Sequence, residues 1–355
     1  MARSFRWQDG ERLIVFGRGA LDDAVDALGG PGYTLLTTPR AKDAAPGIVA
    51  GADAFHIVAP GHVDQLAVEL LDAVRGDRIV ALGGGRVIDV AKAIVAAHAT
   101  RVGGAATAGS SPAATPGSSP ATTPGRVPRA MAVPTTLSGA EMTRVHRHAA
   151  GVAESTPRVR PAVVVVDPAL AASQPRADLA ASSLNALGHA VEAPCMVNAN
   201  PVATLVAHEA ARLLFAGWVG SEPDRDLLAL GSLLAGYALD NTGLALHHVL
   251  SQTLVRVAGV GHGPANAAML PHTIGALEWR FPSVIEALNA AVGEDVVEVA
   301  LRIRAYTGAA GLRELGVDPA VLPECADAAA ARPQLQLTPP AADRAEILAL
   351  YERAL

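Results

Sequence analysis

The sequence Arg78-Ile-Val-Ala-Leu-Gly-Gly-Gly-Arg-Val-Ile-Asp-Val-Ala-Lys92 runs from an apolar strand pattern through three glycines into a helical pattern. Backbone N–H groups can approach an anion closely at glycine, and the following helix adds the positive end of its dipole. The pattern is typical of a loop that binds pyrophosphate at Gly83–Gly85. A plain strand-to-helix turn explains the same residues equally well. The pattern does not match G-x-G-x-x-G, so the usual dinucleotide fingerprint is absent. Asp89 and Lys92 share one helix face, where a surface ion pair is the simpler alternative to cofactor binding.

Similar units extend in both directions from this stretch and predict an α/β domain. Short apolar runs alternate with helical patterns of 10–15 residues, as in βαβ units with a parallel sheet. The run Val163–Val166 is apolar on both faces, as in a sheet covered on both sides. The predicted strands are Leu13–Phe16, Thr34–Thr37, Ala54–Val58, Arg78–Leu82, Ala130–Val133 and Val163–Val166.

The second half of the chain loses these strand patterns and predicts an all-helical domain. We expect an α/β nucleotide-binding domain over residues 1–172 and a helical domain over residues 173–355. The predicted helices are Arg176–Ala193, Pro201–Phe215, Arg225–Leu239, Leu244–Val257, Pro264–Leu277, Glu294–Thr307 and Pro340–Leu355.

One segment of low complexity, Gly103–Gly125, contains only Gly, Ala, Ser, Thr and Pro. Such a composition cannot fill a core, so we predict a disordered surface insert. A neutral insertion is favoured over a site for docking a partner.

Composition narrows the class of protein. The 355 residues are 50% hydrophobic and 17% charged, which excludes global disorder. No run reaches the roughly 18 apolar residues of a membrane span, and the first residues lack an apolar signal core, so we expect a cytoplasmic protein. The net charge of −6 argues against nucleic-acid binding. The two cysteines, Cys195 and Cys325, make a disulfide framework improbable.

Two further patterns carry polar groups suited to a site. Val133–Thr143 follows a strand and is rich in hydroxyls, so Thr135 and Thr136 could contact a nucleotide, or could simply cap a turn. Histidines concentrate between His189 and His272, on predicted helices. Imidazoles that converge from several helices could hold a divalent metal or an anionic substrate, although any single one is more often structural.

Taken in order along the chain, these motifs resemble the iron-containing alcohol dehydrogenase superfamily, whose architecture is related to that of dehydroquinate synthase. The resemblance rests on the ordered segments FGRGAL, GGGRVIDVAKAI, VPTTLSGAEMT, VVDPAL, SLNALGHAVEA and HHVLSQTLVRVAGVGHGPANAAMLPH. It covers nearly the whole chain apart from the insert. It implies an N-terminal nucleotide domain, a C-terminal helical domain, an active-site cleft between them and a homodimer.

Within this superfamily the chain is most similar to the maleylacetate reductase branch. Asn185 stands where metal-binding members carry Asp, and the doublet His247-His248 and the segment TTLSGAEMT match that branch. Thr38 replaces an Asp that would repel a 2′-phosphate, and Arg40 could pair with such a phosphate, so NADH or NADPH is the expected cofactor. The candidate cofactor-binding residues are Gly83, Gly84, Gly85, Asp89, Lys92, Thr135, Thr136, Thr38 and Arg40.

The resemblance also assigns metal and catalytic positions. His189, His248 and His262 correspond to the family's metal ligands, but a neutral Asn185 amide is a poorer ligand for Fe or Zn than a carboxylate, so we expect a vestigial or weakly occupied site. The catalytic candidates are His248, His247, Gln252 and His189. Gln252 departs from the family histidine at its position and cannot donate a proton near neutral pH.

Three hypotheses of function stay open at this point. The first is an NAD(P)H-dependent reductase that converts maleylacetate to 3-oxoadipate, as in aromatic compound catabolism. The second is a related alcohol or ketone oxidoreductase with another substrate, including a biosynthetic one, and it is motivated by Gln252 and the divergent His146–Arg160 region. The third is a cofactor-binding or lyase-like homologue without redox turnover. In each case the partner is a small molecule, a carboxylate in the first, and neither nucleic acid nor membrane is expected.

Overall fold

The structure is a computed structural model that describes residues 4–107 and 127–355. The chain forms two compact units. The α/β unit comprises Arg3–Thr135 and Ala140–Leu170, and the helical unit comprises Thr136–Gly139 and Ala171–Leu355. Thr136–Gly139 therefore groups with the helical unit, although the sequence analysis assigned it to the nucleotide-binding domain.

The α/β unit is built on a 7-stranded sheet in the order β1-β2-β7-β6-β5-β3-β4. Only the pair β1–β2 is antiparallel, and the other pairs in the described sheet are parallel. The strands are β1 (Phe5–Asp9), β2 (Arg12–Phe16), β3 (Tyr33–Thr37), β4 (Ala52–Ile57), β5 (Arg78–Gly83), β6 (Arg129–Pro134) and β7 (Val163–Val166).

The core of this unit lies on both faces of the sheet. Successive residues of a strand point to opposite faces, and Val80 and Leu82 belong to one buried cluster while Ile79 and Ala81 belong to the other. The helices are α1 (Ala24–Ala27), α2 (Pro39–Ala44), α3 (Pro46–Ala50), α4 (Val63–Leu71), α5 (Gly85–Thr107) and α6 (Pro168–Ala171). The predicted α/β class with a doubly covered sheet is confirmed.

Helix α5 corrects one boundary of the predicted insert. The helix continues to Thr107, so residues 103–107 are helical and do not belong to a disordered loop. Alanine is the best helix former and two glycines cost only about 1 kcal/mol each, so a helix that is already formed can extend through them. The rest of the predicted insert, residues 108–125, lies outside the described residues.

The helical unit contains nine α-helices in its described part, of which α12 and α14 were not predicted. They are α7 (Arg176–Glu192), α8 (Pro201–Ala216), α9 (Arg225–Thr242), α10 (Leu246–Val257), α11 (His262–Arg280), α12 (Pro282–Val292), α13 (Val296–Arg304), α14 (Leu322–Ala330) and α15 (Arg344–Arg353). Across the ranges that the structure describes, none of the helices is long and apolar enough to cross a membrane.

Helix α7 is the centre of this unit. Every residue from Leu179 to Glu192 is buried, and the helix packs against α8, α9, α10, α11 and α13. A helix that is buried on all sides is normally apolar all round. Polar residues on such a helix need a specific reason, and α7 carries three towards its end: Asn185, His189 and Glu192.

Candidate active site

The α/β unit carries most of the predicted cofactor residues at or just after the carboxyl ends of its strands, whereas Thr136 belongs to the helical unit and Asp89 and Lys92 lie within α5. From β3 the chain turns outward to β4, and from β5 it proceeds through β6 to β7 on the other side. The adjacent strands β3 and β5 therefore flank the point where the strand order reverses, which is the usual ligand position in open α/β sheets. Thr38 follows β3, Gly83 ends β5 and Thr135 follows β6. Because these strands are parallel neighbours, the three positions lie along the same edge of the sheet.

Gly83 allows helix α5 to begin immediately after β5. A Cβ at Gly83 would lie 2.6 Å from Val87 Cγ2, closer than real carbon contacts allow. The carbonyl of Gly84 accepts hydrogen bonds from the N–H groups of Val87 and Ile88 at 3.0 and 3.3 Å, which forms the first turn of α5. The unsatisfied N–H groups of a first turn make an anion site. The glycine turn therefore fits the pyrophosphate of a dinucleotide.

Lys92 is buried and forms its hydrogen bonds within the α/β unit. Its side chain is fully buried, and Nζ donates to the carbonyl oxygens of Ala140, Thr143 and Val145 at 2.9, 3.1 and 2.8 Å. Asp89 Oδ1 lies 2.8 Å from the same nitrogen. An ammonium has three protons to donate, so these contacts exhaust its capacity. The expected direct contact of Lys92 with a cofactor is not supported, and the pair instead braces the segment after β6.

The remaining cofactor candidates occupy turn and cap positions. Thr38 is the N-cap of α2, and its hydroxyl accepts a hydrogen bond from Ala41 N–H at 3.3 Å. Arg40 is exposed in the first turn of that helix, directly after β3. Thr135 is buried, and its N–H donates to the Gly83 carbonyl at 3.0 Å. Thr38 and Arg40 thus stand where the adenosine ribose binds in comparable sheets.

In the helical unit, the loop Thr136–Gly139 is tied to α7 by polar contacts. Leu137 N–H donates to Ser182 Oγ at 2.9 Å, and Asn185 Nδ2 lies 3.5 Å from the Ser138 carbonyl oxygen. A carboxylate at position 185 could not donate to that carbonyl. The amide of Asn185 therefore suits this loop in a way that the family's aspartate would not.

Three predicted histidines come together where α7 meets α10. The rings of His189 and His248 stack with centroids 4.5 Å apart and an interplanar angle of 22°. His247 meets His248 edge to face at 4.8 Å. His247 is fully buried, and His248 and His189 are nearly so. His262, at the first position of α11, is exposed.

Glu192 organises this histidine cluster, and the sequence analysis missed it. It is fully buried, and Oε2 lies 2.7 Å from His248 Nδ1. Its other oxygen accepts a hydrogen bond from the His247 backbone N–H at 2.7 Å. A sequence signal was present, because Asn185, His189 and Glu192 recur at spacings of four and three and so share one helix face.

Burial controls the protonation of the cluster. Desolvation lowers the pKa of His247 and of His248 to about 3 and lowers the pKa of His189 well below its usual value. The pKa of Glu192 is raised by the same cause. At neutral pH the imidazoles are therefore uncharged, and they recognise a substrate by hydrogen bonds rather than by fixed positive charge.

The residues present do not fit a bound metal ion. Within residues 4–107 and 127–355, no group of three or more His, Cys, Asp or Glu side chains is arranged to hold one. Two rings of the expected ligand set stack face to face, which is unlike convergent ligation. The expected set of His189, His248 and His262 is therefore not among the groups that could hold an ion, and no step of the chemistry is derived through a metal.

Comparison with protein families accounts for both units. Residues 59–168 match the model described as iron-containing alcohol dehydrogenase, and residues 179–355 match the C-terminal model of the Fe-containing alcohol dehydrogenase family. The chain belongs to the iron-containing alcohol dehydrogenase family. It is accordingly an oxidoreductase, and the hypothesis of a homologue without redox turnover loses its basis.

Individual members of this family are similar over almost the full chain. Maleylacetate reductase of Rhizobium sp. (strain MTP-10005) is 30% identical over 96% of this chain and 95% of its own length. Its crystal structure superposes with a TM-score of 0.78 and covers 100% of this chain and 99% of that one. The structure of a 1,3-propanediol oxidoreductase gives a TM-score of 0.73, with 100% of both chains covered, and both structures are 27% identical to this sequence.

Gln252 stands where the resemblance implies an active-site histidine. Gln252 lies on α10 one turn after His248, and its Oε1 accepts a hydrogen bond from Arg332 Nη2 at 3.4 Å. An amide held by a guanidinium cannot exchange a proton with a substrate. Gln252 therefore cannot supply a proton at this position.

Proposed function

We propose that this enzyme is a maleylacetate reductase, an NAD(P)H-dependent reductase that converts maleylacetate to 3-oxoadipate. The family membership establishes the coarser activity of a reductase of this cofactor class. The observation that carries the specific proposal is the pairing of Asn185 with a buried cluster of uncharged histidines. Similarity over 96% of this chain to a maleylacetate reductase supports it.

The cofactor would be held by the glycine turn and by the ends of neighbouring strands. The N–H groups at the start of α5 would bind its pyrophosphate, Thr135 would line the nucleotide site, and Arg40 would face a 2′-phosphate when NADPH is used. Bound NAD(P)H supplies a hydride to the substrate. Asp89 and Lys92 support this site indirectly, through the segment that Lys92 anchors.

The histidines would handle the charge that develops on the substrate. Hydride addition to a C=C bond conjugated with a ketone forms an enolate, which requires hydrogen-bond donors and then a proton on carbon. His189, His247 and His248 are the candidates for these tasks, because they are adjacent and uncharged. His262 and Arg144, both exposed, are candidates to bind substrate carboxylates.

The test is the oxidation of NADPH and of NADH with purified protein and maleylacetate, with the product identified as 3-oxoadipate by mass spectrometry. Enzyme treated with a chelator should retain its activity, and added Fe²⁺ or Zn²⁺ should not increase it. Folded protein that binds NADPH but does not consume maleylacetate above background would refute the proposal.

A second candidate function is a related alcohol or ketone oxidoreductase with a different substrate. Gln252, held by Arg332 in place of the family histidine, favours it, and the equal identity to the 1,3-propanediol oxidoreductase structure is compatible with it. A panel of ketones, aldehydes and short diols assayed beside maleylacetate separates the two, because only one class should give a high kcat/KM.

A further inference from the structure

We propose that a cleft between α11 and α15 is a second binding site, separate from the candidate active site, that takes a small aromatic carboxylate. The cleft has a volume of about 430 Å³, which is within the range of small-molecule sites. Both helices belong to the helical unit. The lining residues that carry the argument are His272, Gly275, Trp279, Arg280, Glu346 and Arg353.

Helix α11 places the cleft away from the residues proposed for catalysis. His262 begins this helix, and His272 follows nearly three turns later, roughly 15 Å along the axis. The lining residues do not include the candidate catalytic histidines or Gln252. The inference is therefore independent of the proposed function, and the two can fail separately.

The cleft carries one positive charge that the fold does not use. Arg280 donates to both carboxylate oxygens of Glu346, at 2.7 and 2.6 Å, so these two charges neutralise each other. Arg353 is exposed in the last turn of α15, and its side chain makes no hydrogen bond or ion pair with another residue that the structure describes. A guanidinium presents parallel N–H groups that match a carboxylate. Arg353 is accordingly the anion-binding group of the cleft.

The surroundings of His272 are also electropositive. Burial, followed by the positive charges of Arg304 and Arg353, lowers the pKa of His272. The charges that act on this ring are thus both positive, and an anion beside it would relieve them. The ring is uncharged at neutral pH and can donate one hydrogen bond to a carboxylate.

Trp279 supplies an apolar surface beside this positive charge. Its side chain is 74% exposed, although tryptophan is usually well buried. The guanidinium carbon of Arg280 lies 5.5 Å from the ring centroid, over one face of the indole. The remaining exposed surface can stack on a flat ring. A flat ring next to Arg353 and His272 calls for a ligand that joins an aromatic group to a carboxylate.

The first experiment titrates benzoate into the purified enzyme by calorimetry at low ionic strength. We expect saturable binding with a Kd of about 1 mM, as suits so small a ligand. Cyclohexanecarboxylate, which has the charge without the flat ring, and benzyl alcohol, which has the ring without the charge, should each bind at least about fivefold more weakly. Absence of benzoate binding, or equal affinity for benzyl alcohol, would overturn the inference.

Fluorescence shows whether bound benzoate lies beside Trp279. This is the most exposed of the three tryptophans of the chain. Benzoate should change the emission of the wild type, and Trp279→Phe should remove that change while calorimetry still detects binding. A change of the same size in Trp279→Phe would show that benzoate binds elsewhere.

Variants of the cleft complete the test. Arg353→Gln should weaken benzoate binding at least about tenfold, because it removes the charged donor. Gly275→Leu should block the cleft without straining the fold, since an added Cβ at Gly275 meets nothing within 4 Å. Arg212→Gln is the matched control, because Arg212 is exposed on α8, where it pairs with Glu209, and does not line the cleft. Wild-type affinity in Arg353→Gln or in Gly275→Leu, or a loss in Arg212→Gln as large as theirs, would refute the site.

Discussion

Single residues at the ends of β5 and β3 determine how the cofactor site can form. At Gly83 the absent side chain is the decisive feature, because a Cβ would be 2.6 Å from Val87 Cγ2. We predict that Gly83→Ala displaces the first turn of α5 and weakens NADPH binding at least about tenfold, or ~1.4 kcal/mol. Cofactor fluorescence titration measures this.

The control for this prediction is Gly47→Ala. Gly47 lies in α3, where an added Cβ meets nothing within 4 Å. The affinity of the Gly47→Ala protein for NADPH should equal that of the wild type. If Gly83→Ala also binds normally, the glycine turn does not form the pyrophosphate site.

Thr38 offers a test of cofactor choice that leaves the local fold intact. Its hydroxyl caps α2, and aspartate is an equally good N-cap. We predict that Thr38→Asp raises KM for NADPH by about tenfold, because the carboxylate repels a 2′-phosphate, and leaves KM for NADH within about twofold. Arg40→Ala should likewise raise KM for NADPH and leave KM for NADH nearly unchanged. Steady-state kinetics with both cofactors decide the matter, and parallel losses for NADH and NADPH would contradict it.

The sequence indicates where a residue lies in the fold when its contacts are local, and it indicates little when they depend on the tertiary fold. The glycine turn and the histidine doublet lie in short motifs with an intrinsic reason for their residue types. Lys92 looked like a cofactor ligand, yet its partners are carbonyl oxygens about fifty residues later in the chain, such as that of Val145. Glu192 was overlooked because its partners come from α10. The spacing of Asn185, His189 and Glu192 within α7 places Glu192 on the same helix face but does not identify its partners on α10.

At the scale of the element, the packing of α7 against α10 depends on Gly188. A Cβ there would lie 2.6 Å from both Nε2 and Cδ2 of the fully buried His247. We predict that Gly188→Ala forces the helices apart, lowers the free energy of unfolding by roughly 1–3 kcal/mol as in other overpacked cores, and reduces kcat more strongly than the stability loss would suggest. Urea denaturation and steady-state kinetics measure the two effects.

Gly275→Ala is the matched control for Gly188→Ala. Gly275 lies within α11 and an added Cβ meets nothing within 4 Å, so this change should stabilise the protein by up to about 1 kcal/mol through helix propensity. Activity should not change. Wild-type kcat in Gly188→Ala would show that the position of His247 does not matter for turnover.

Strand β1 and helix α14 were missed from the sequence because of their composition and exposure. Strand β1 reads Phe-Arg-Trp-Gln-Asp and is largely exposed at the sheet edge, so no buried face imposes an apolar pattern. Its signal was Gly10, the first of the two loop residues between the paired Asp9 and Arg12, with a positive φ of 59° as hairpin turns require. Helix α14 is rich in alanine, which gives a weak apolar face. Central strands, buried on both sides, were all predicted.

At the scale of the whole molecule, buried titratable groups make stability depend on pH. Burial lowers the pKa of His146, His247 and His248 to about 3, so these side chains stay neutral in the folded protein while the unfolded chain takes up protons near pH 6.5. Their contribution to stability is complete above pH 6.5 and is lost as the pH falls towards 3. For His146 the reason is visible, because Nε2 accepts a hydrogen bond from Val159 N–H at 3.0 Å and protonation would break it.

Glu141 changes the stability of the protein with pH in the opposite direction to the buried histidines. Burial raises the pKa of Glu141 to about 7, despite the positive charges of Lys92 and Arg12. The folded protein therefore holds this proton up to about pH 7, whereas the unfolded chain releases it near its ordinary value of 4.5. Its stabilising contribution is present at low pH and is lost as the pH rises to 7.

The balance of the buried histidines against the buried carboxyls gives the last prediction. Between pH 6 and pH 5 the free energy of unfolding should fall, since the unfolded chain takes up protons at the histidines that the folded protein does not, by up to about 1 kcal/mol for each group. Glu141→Gln removes an opposing contribution, so its stability should fall more steeply, by about 1 kcal/mol more over the same interval. Urea denaturation of both proteins at the two pH values measures the slopes. Equal slopes would mean that Glu141 is ionised in the folded protein, and a wild type that gains stability on acidification would mean that the buried histidines accept protons without cost.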